Sequence, residues 1–113
     1  MHEKNMKFSL LLDIYGDMLN ERKRELLQYY YEDDYSLSEI SEITGISRQG
    51  VRDSIKKSEE EIKQLEQTLK IADKNTVIND SISKIEALIS SDDKADKEII
   101  IKELQKIKNI LHS

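Results

Sequence analysis

The sequence predicts an all-α protein, and three observations carry that expectation. Among 113 residues there is no proline and only three glycines, charged residues make up 36%, and apolar residues recur at three- and four-residue spacing. Sheet-rich folds of this size need more of the turn-forming residues. The aromatic residues Phe8, Tyr15, Tyr29, Tyr30, Tyr31 and Tyr35 all precede residue 36, and Gly16, Gly45 and Gly50 all fall within the first 50. Beyond that point the apolar residues are aliphatic and mostly isoleucine. The expectation is therefore a compact N-terminal domain over residues 1–57 with a mixed core. A long helix leads from it into a C-terminal helical extension, residues 58–113, shaped as a bundle or a coiled-coil-like tail.

The first helix is expected from about Met6 to Met18, with Phe8, Leu11, Leu12, Tyr15, Met18 and Leu19 on its apolar stripe. Asn20 then caps a second helix, which Glu21 opens and Leu26, Leu27, Tyr30 and Tyr31 anchor before the acidic run Glu32-Asp33-Asp34. Ser36 followed three residues later by Glu39 is a capping-box pattern, and it opens a short helix carrying Leu37, Ile40 and Ile43. Gly45 sits where a left-handed C-cap residue is wanted. Ser47 can cap the next helix, which starts at Arg48 and meets no strong breaker before about Ala72. Along it Ile55, Ser58, Ile62, Leu65, Leu69 and Ala72 alternate in steps of three and four, a coiled-coil-like seam interrupted at Ser58. Two further stripes follow, Ile78-Ile82-Ile85-Ile89 and Ile100-Leu104-Ile107-Leu111, with Ser90-Ser91-Asp92-Asp93 as the turn between them.

Composition excludes several classes of function. No cysteine is present, so there is no disulfide framework, no thiolate metal site and no cysteine nucleophile. The longest apolar runs, Leu10-Leu11-Leu12 and Ile99-Ile100-Ile101, fall far short of the roughly 20 residues of a membrane span. No signal-peptide core follows Met1-His2-Glu3-Lys4, and a soluble cytoplasmic protein is expected. His2 and His112 stand at opposite ends, no nucleophile-elbow glycine pattern surrounds a serine, and no phosphate-binding loop is present. The expectation is a protein that is no enzyme and needs no cofactor.

Charge is distributed unevenly. Residues 1–47 hold five Lys/Arg against ten Asp/Glu, a net of −5, whereas residues 48–70 are at +1 and residues 71–113 at −1. Within the middle segment Arg48, Arg52, Lys56 and Lys57 face only Asp53, a local +3. An acidic protein can still engage nucleic acid through one such face.

Function concentrates in LSEISEITGISRQGVRDSI, Leu37 to Ile55. A helix-turn-helix needs a small residue where the second helix crosses the first, a glycine in the turn, and apolar residues that lock both helices to the core. Ser41 supplies the first, Gly45 the second, and Ile40, Ile46, Val51 and Ile55 the third. The second helix then presents Ser47, Arg48, Gln49, Arg52 and Asp53 from the turns that enter the major groove in this motif. Arginine can donate two hydrogen bonds to guanine and glutamine can pair with adenine, which makes Arg48, Gln49 and Arg52 competent base readers. Arg48, Arg52 and Lys56 recur every four residues, a row suited to phosphates, with Lys57 beside it. Asp53 works against tight binding, since it would repel a phosphate and can pair with Lys57 four residues on. Gly50 lies inside the helix at a cost of about 1 kcal/mol relative to alanine, either for close backbone approach or as a local weakness. The plainer reading of the same residues is a capped helical hairpin with a solvated basic row.

The stretch IYGDMLNERKRELLQYYYEDDYSLSEISEITGISRQGVRDSIKKSEEEIKQLEQ, Ile14 to Gln67, closely resembles the YlxM/p13 (UPF0122) family of small bacterial helix-turn-helix proteins. It is similar, more distantly, to the fourth region of sigma-70-type factors. The likeness covers about half the chain, and its dense motifs are YGDMLNERKRELLQYYYEDDYSLSEIS and GISRQGV. It implies a wingless helical domain of the DNA-binding type, a helical tail, and an association with the signal recognition particle pathway, whose GTPase and receptor genes neighbour those of the family. The chain departs from the family pattern at Gly50, where alanine is usual, and at Arg52, where tyrosine is common. After Gln67 it shows no family motif.

Two other groups carry weaker signals. Tyr29, Tyr30, Tyr31 and Tyr35 could form a platform for stacking bases, although at helical spacing behind Leu26 and Leu27 they fit core and rim better. Glu32-Asp33-Asp34 lacks the glycine-bearing loop of a calcium site and reads as a solvated helix end. The expected function is thus a regulatory protein binding duplex DNA through Ser47, Arg48, Gln49, Arg52, Asp53, Lys56 and Lys57. The alternative is a protein or ribonucleoprotein adaptor that uses the helix-turn-helix only as scaffold, with components of the signal recognition particle as the partners the resemblance implies. The three aliphatic stripes can close on one another as an intrachain helical bundle, or the Ile55 to Leu69 seam can pair with its copy, and of the two a homodimer is expected.

Overall fold

The computed structural model describes residues 6–91 and 97–112, and the described residues form six α-helices, one 3-10 turn and no strand. They are α1 (Met6–Tyr15), the 3-10 turn (Gly16–Met18), α2 (Glu21–Tyr31), α3 (Leu37–Thr44), α4 (Arg48–Leu69), α5 (Ile71–Ser90) and α6 (Lys97–Leu111). No described helix is long and apolar enough to cross a membrane. His2 and the Asp92-Asp93 part of the expected turn lie outside the described residues.

The chain divides into two compact units, one through Lys70 and one from Ile71 onward. The boundary expected after Lys57 instead falls within α4, whose hydrogen-bonded run continues to Leu69. The helix also ends before Ala72. Lys70 takes the left-handed conformation (φ 55°) and donates its backbone N–H to the Glu66 carbonyl at 2.8 Å, so that α5 starts at the very next residue.

In the first unit α4 is the central strut, against which α1, α2 and α3 all pack. Leu26, Leu27, Ile40, Val51 and Ile62 are at most 1% exposed, and Phe8, Leu12, Leu19 and Ile55 complete the apolar core. Ser58, the interruption in the seam, is completely buried, and its hydroxyl donates to the Ser54 carbonyl at 2.8 Å, so the polar atom is satisfied within its own helix. Ile55, Ser58 and Ile62 are therefore consumed inside this unit. That corrects the expected pairing of the Ile55 to Leu69 seam between copies, because its first half has no free surface to offer.

Polar bonds fasten the far half of α4 to its neighbours. The fully buried Tyr15 donates its hydroxyl to Glu66 at 2.5 Å, Tyr31 donates to Glu59 at 2.8 Å, and Lys23 pairs with Glu61 at 3.1 Å. Burial first, and the hydrogen bond to Glu59 second, push the Tyr31 hydroxyl well above the ordinary tyrosine range. The first helix is shorter than expected. It gives way to the 3-10 turn at Gly16, a buried glycine whose added Cβ would lie 3.3 Å from Leu12 Cδ1, and the turn leaves Met18 57% exposed while burying Leu19. Asp34 holds a left-handed φ of 56° after α2, a conformation that aspartate accepts more readily than most residues.

The second unit is a helical hairpin, in which the short link between α5 and α6 makes the two helices antiparallel neighbours. Ser81 and Glu103 are its buried residues. Glu103 Oε1 meets Lys106 at 3.1 Å and Lys84 of the facing helix at 3.9 Å, while Oε2 finds no hydrogen-bond partner among the described residues. The Lys106 ammonium, and then the Ser81 hydroxyl, hold this carboxyl below its ordinary value of 4.5.

Candidate nucleic-acid interface

The local chemistry that builds the site starts at Ser36. Its hydroxyl accepts from the Glu39 N–H and the Glu39 carboxylate accepts from the Ser36 N–H, both at 3.1 Å, closing the capping box that starts α3. At the other end Gly45 adopts φ 77° and returns its N–H to the Ser41 carbonyl at 2.9 Å. The turn is fastened twice more. Ser41 donates its hydroxyl to the Ile46 carbonyl at 2.5 Å, and Thr44 donates to the Ile40 carbonyl at 2.8 Å while accepting from the Ile46 N–H at 3.3 Å. Every polar group near the crossing thus works on the angle between α3 and α4.

Ser47 lies at the N-cap of α4, where its hydroxyl accepts from the Gly50 N–H at 3.0 Å. Gly50 is tight. A Cβ there would stand 2.9 Å from Ile46 Cγ2 and 3.0 Å from Ser47 Oγ, so the glycine serves close approach of the turn to the helix. Val51 and Ile55 are buried and Ile46 is half-buried, which fixes the rotation of α4 about its axis. The face left to solvent carries Arg48, Gln49, Arg52, Asp53, Lys56 and Lys57, all exposed.

These residues fall into three groups when placed at about 100° per residue around the helix. Arg48, Arg52 and Lys56 run down one flank, where with Tyr30, Leu37, Ile55 and Glu59 they line a cleft of about 290 Å³. Gln49 and Asp53 form the crest, and Gln49 Nε2 donates to Asp53 Oδ1 at 3.0 Å. Asp53 therefore accepts from Gln49 one turn back, and among the described residues it forms no ion pair with Lys57 one turn on. Lys57 lies on the other flank, in a shallow groove that Lys56 shares and that Lys23, Glu60, Glu61 and Gln64 complete. None of Arg48, Arg52, Lys56 and Lys57 forms an ion pair with a described residue.

Sequence reasoning missed Tyr30, Leu37 and Glu59 as walls of the basic cleft. Tyr30 reads from its spacing as core or rim before a stacking platform, because nothing in that spacing shows that α2 passes beside the start of α4. Tyr30 is half-buried, and burial, then the nearby Glu59 and Asp34 charges, raises its hydroxyl above the ordinary value of 10.0. Among the described residues no three His, Asp or Glu side chains come together to hold a metal ion.

A short capped helix, a left-handed glycine turn and a longer second helix locked by Val51 and Ile55 define a helix-turn-helix protein. The family can be stated as well. A family model described as "Putative helix-turn-helix protein, YlxM / p13 like" (UPF0122) matches residues 2–107, and the chain belongs to that family. The match runs well past Gln67, so most of the helical tail, in which no motif was visible, is part of the family pattern too. A UPF0122 protein of Caldanaerobacter subterraneus subsp. tengcongensis is 40% identical over 89 residues, covering 79% of this chain and 76% of the relative. One from Listeria welshimeri is 34% identical over 110 residues, 97% of this chain and 99% of the relative. A third, from Shouchella clausii, is 34% identical over 92 residues, 81% and 84% of the two chains.

Proposed function

We propose that this protein is a regulatory protein that binds duplex DNA with the first turns of α4 in the major groove, acting as a pair of chains. The observation that carries the reading is the flank Arg48, Arg52 and Lys56. Three exposed cations without an ion-pair partner among the described residues share one cleft, on a helix whose rotation and N-terminus are fixed by Val51, Ile55, Ser47 and Gly45. Arg48 and Arg52 read bases, Lys56 fixes a phosphate on the same flank, Gln49 and Asp53 present hydrogen-bonding groups at the crest, and Lys57 meets the backbone across the groove. Ser47 orients the first turn as its cap. The family's helix-turn-helix description supports nucleic-acid binding in general.

The test is a fluorescence-anisotropy titration of the full chain against random duplex DNA and against signal recognition particle RNA, each at two salt concentrations. Duplex binding that weakens steeply with salt is expected. Failure to bind duplex at low salt would return the helix-turn-helix to a scaffold and leave the adaptor reading, with its link to the signal recognition particle pathway, in front.

A further inference from the structure

The α5–α6 hairpin is too small to stand on what it buries. It comprises residues from Ile71 onward, about the size below which a domain needs a disulfide, a metal or a partner. The sequence has no cysteine to staple it, and the apolar surface it leaves open points to a partner. Its buried residues, Ser81 and Glu103, are both polar, whereas Ile89 is 65% exposed, Leu111 67%, Leu104 47% and Ile82 41%.

Those four side chains form one strip. At about 100° per residue, Ile82 and Ile89 sit some 60° round from the centre of the buried face of α5, and Leu104 and Leu111 are displaced in the same sense on α6. On antiparallel helices an equal sense of displacement points to the same side of the hairpin, so both pairs emerge on one face. The rims of that face carry opposite charge. Glu86 stands at the outer edge of α5, and Lys97 and Lys108 at the outer edge of α6, none of them in an ion pair with a described residue.

We infer that this face seats the same face of a second copy, two hairpins closing into a four-helix bundle. A two-fold axis along the bundle sets α5 against the second copy's α6, which lays aliphatic strip on aliphatic strip and the acidic rim along the basic one. A self-complementary face of this kind fits its own copy better than a partner of one charge. The inference rests on the two-chain reading above and names its surface. It is independent of whether α4 touches DNA.

Light scattering of the full chain at about 50 µM tests it, with circular dichroism as the check on folding. The expected particle is twice the 13.2 kDa chain mass. Ile89→Lys with Leu111→Lys should reduce it to one chain at unchanged helix content, whereas Val77→Lys with Ile99→Lys, exposed positions displaced to the opposite side, should leave the pair intact. Where the strip variant loses helix, charge decides: Glu86→Lys should weaken association at least tenfold, and adding Lys97→Glu and Lys108→Glu should restore it. A wild-type particle of one chain overturns the proposal, and duplex binding by that single chain would leave the DNA reading standing. A pair that survives Ile89→Lys with Leu111→Lys, or that ignores the charge reversals, overturns the assigned face.

Discussion

Replacing Arg48 and Arg52 together by alanine separates a DNA-reading flank from a merely solvated one. Both side chains are exposed and neither forms an ion pair with a described residue, so stability should stay within about 0.5 kcal/mol and lost binding cannot be blamed on lost fold. Each cation that displaces one counterion adds about 0.9 to the slope of log affinity against log salt. Arg48, Arg52, Lys56 and Lys57 acting together give a slope of about −3.6, so raising salt from about 50 to about 200 mM should weaken wild-type binding about 150-fold. With Lys56 and Lys57 alone the slope falls to about −1.8 and the same change of salt should matter only about 12-fold. If either arginine pairs bidentately with a guanine, removing it also erases about 1–3 kcal/mol of preference for that base. The assay is anisotropy of a labelled duplex over five salt concentrations, for the wild type and the double variant. An unchanged slope would refute the assignment, because it would mean that the salt-sensitive contacts lie elsewhere on the protein.

Other consequences follow from the turn and the tyrosines. Gly45→Ala should lower stability by about 1–2 kcal/mol, read as a shifted urea midpoint. Its Cβ would meet nothing within 4 Å, so the whole effect is the left-handed backbone, and Gly45→Asn should cost less. The Tyr31 hydroxyl holds its proton more tightly folded than unfolded, so its contribution is complete below about pH 10 and is lost as pH rises toward the folded value. Urea midpoints of the wild type should therefore begin to fall above about pH 10, and those of Tyr31→Phe should fall less.

What could be read in advance was whatever rests on local chemistry. The Ser36 and Glu39 box, the left-handed Gly45 and the Ser47 cap each involve groups three residues apart or a single backbone angle, and each lies where the sequence places it. The end of α4 at Lys70 was not readable, since a lysine in the left-handed region has no compositional signature. The seam from Ile55 to Leu69 showed its period but not its partner. An aliphatic stripe looks the same whether α1 and α2 or a second chain covers it, and Ser58, read as a flaw, is a small buried residue with its hydroxyl satisfied. Tyr30, Leu37 and Glu59 escaped for the same reason, because the cleft they line exists only once α2 and α3 are laid beside α4.

The crest of α4 raises a separate question, because Gln49 and Asp53 stand between the two basic flanks and would meet the groove floor first. An aspartate there opposes the phosphates, yet its carboxylate accepts one N–H of Gln49 and so fixes the direction of the amide. A glutamine held in one orientation can distinguish adenine from other bases, whereas a free one adapts to several. Asp53→Ala should consequently act in two directions at once. Removing the negative charge should tighten binding to random duplex several-fold at low salt, while freeing Gln49 should lower the ratio of specific to random binding. Measured on a site recovered by selection from a random library, a variant that gains affinity and keeps its full preference would show that Asp53 is only a repelling charge, and one that loses affinity for both would place the crest away from the DNA.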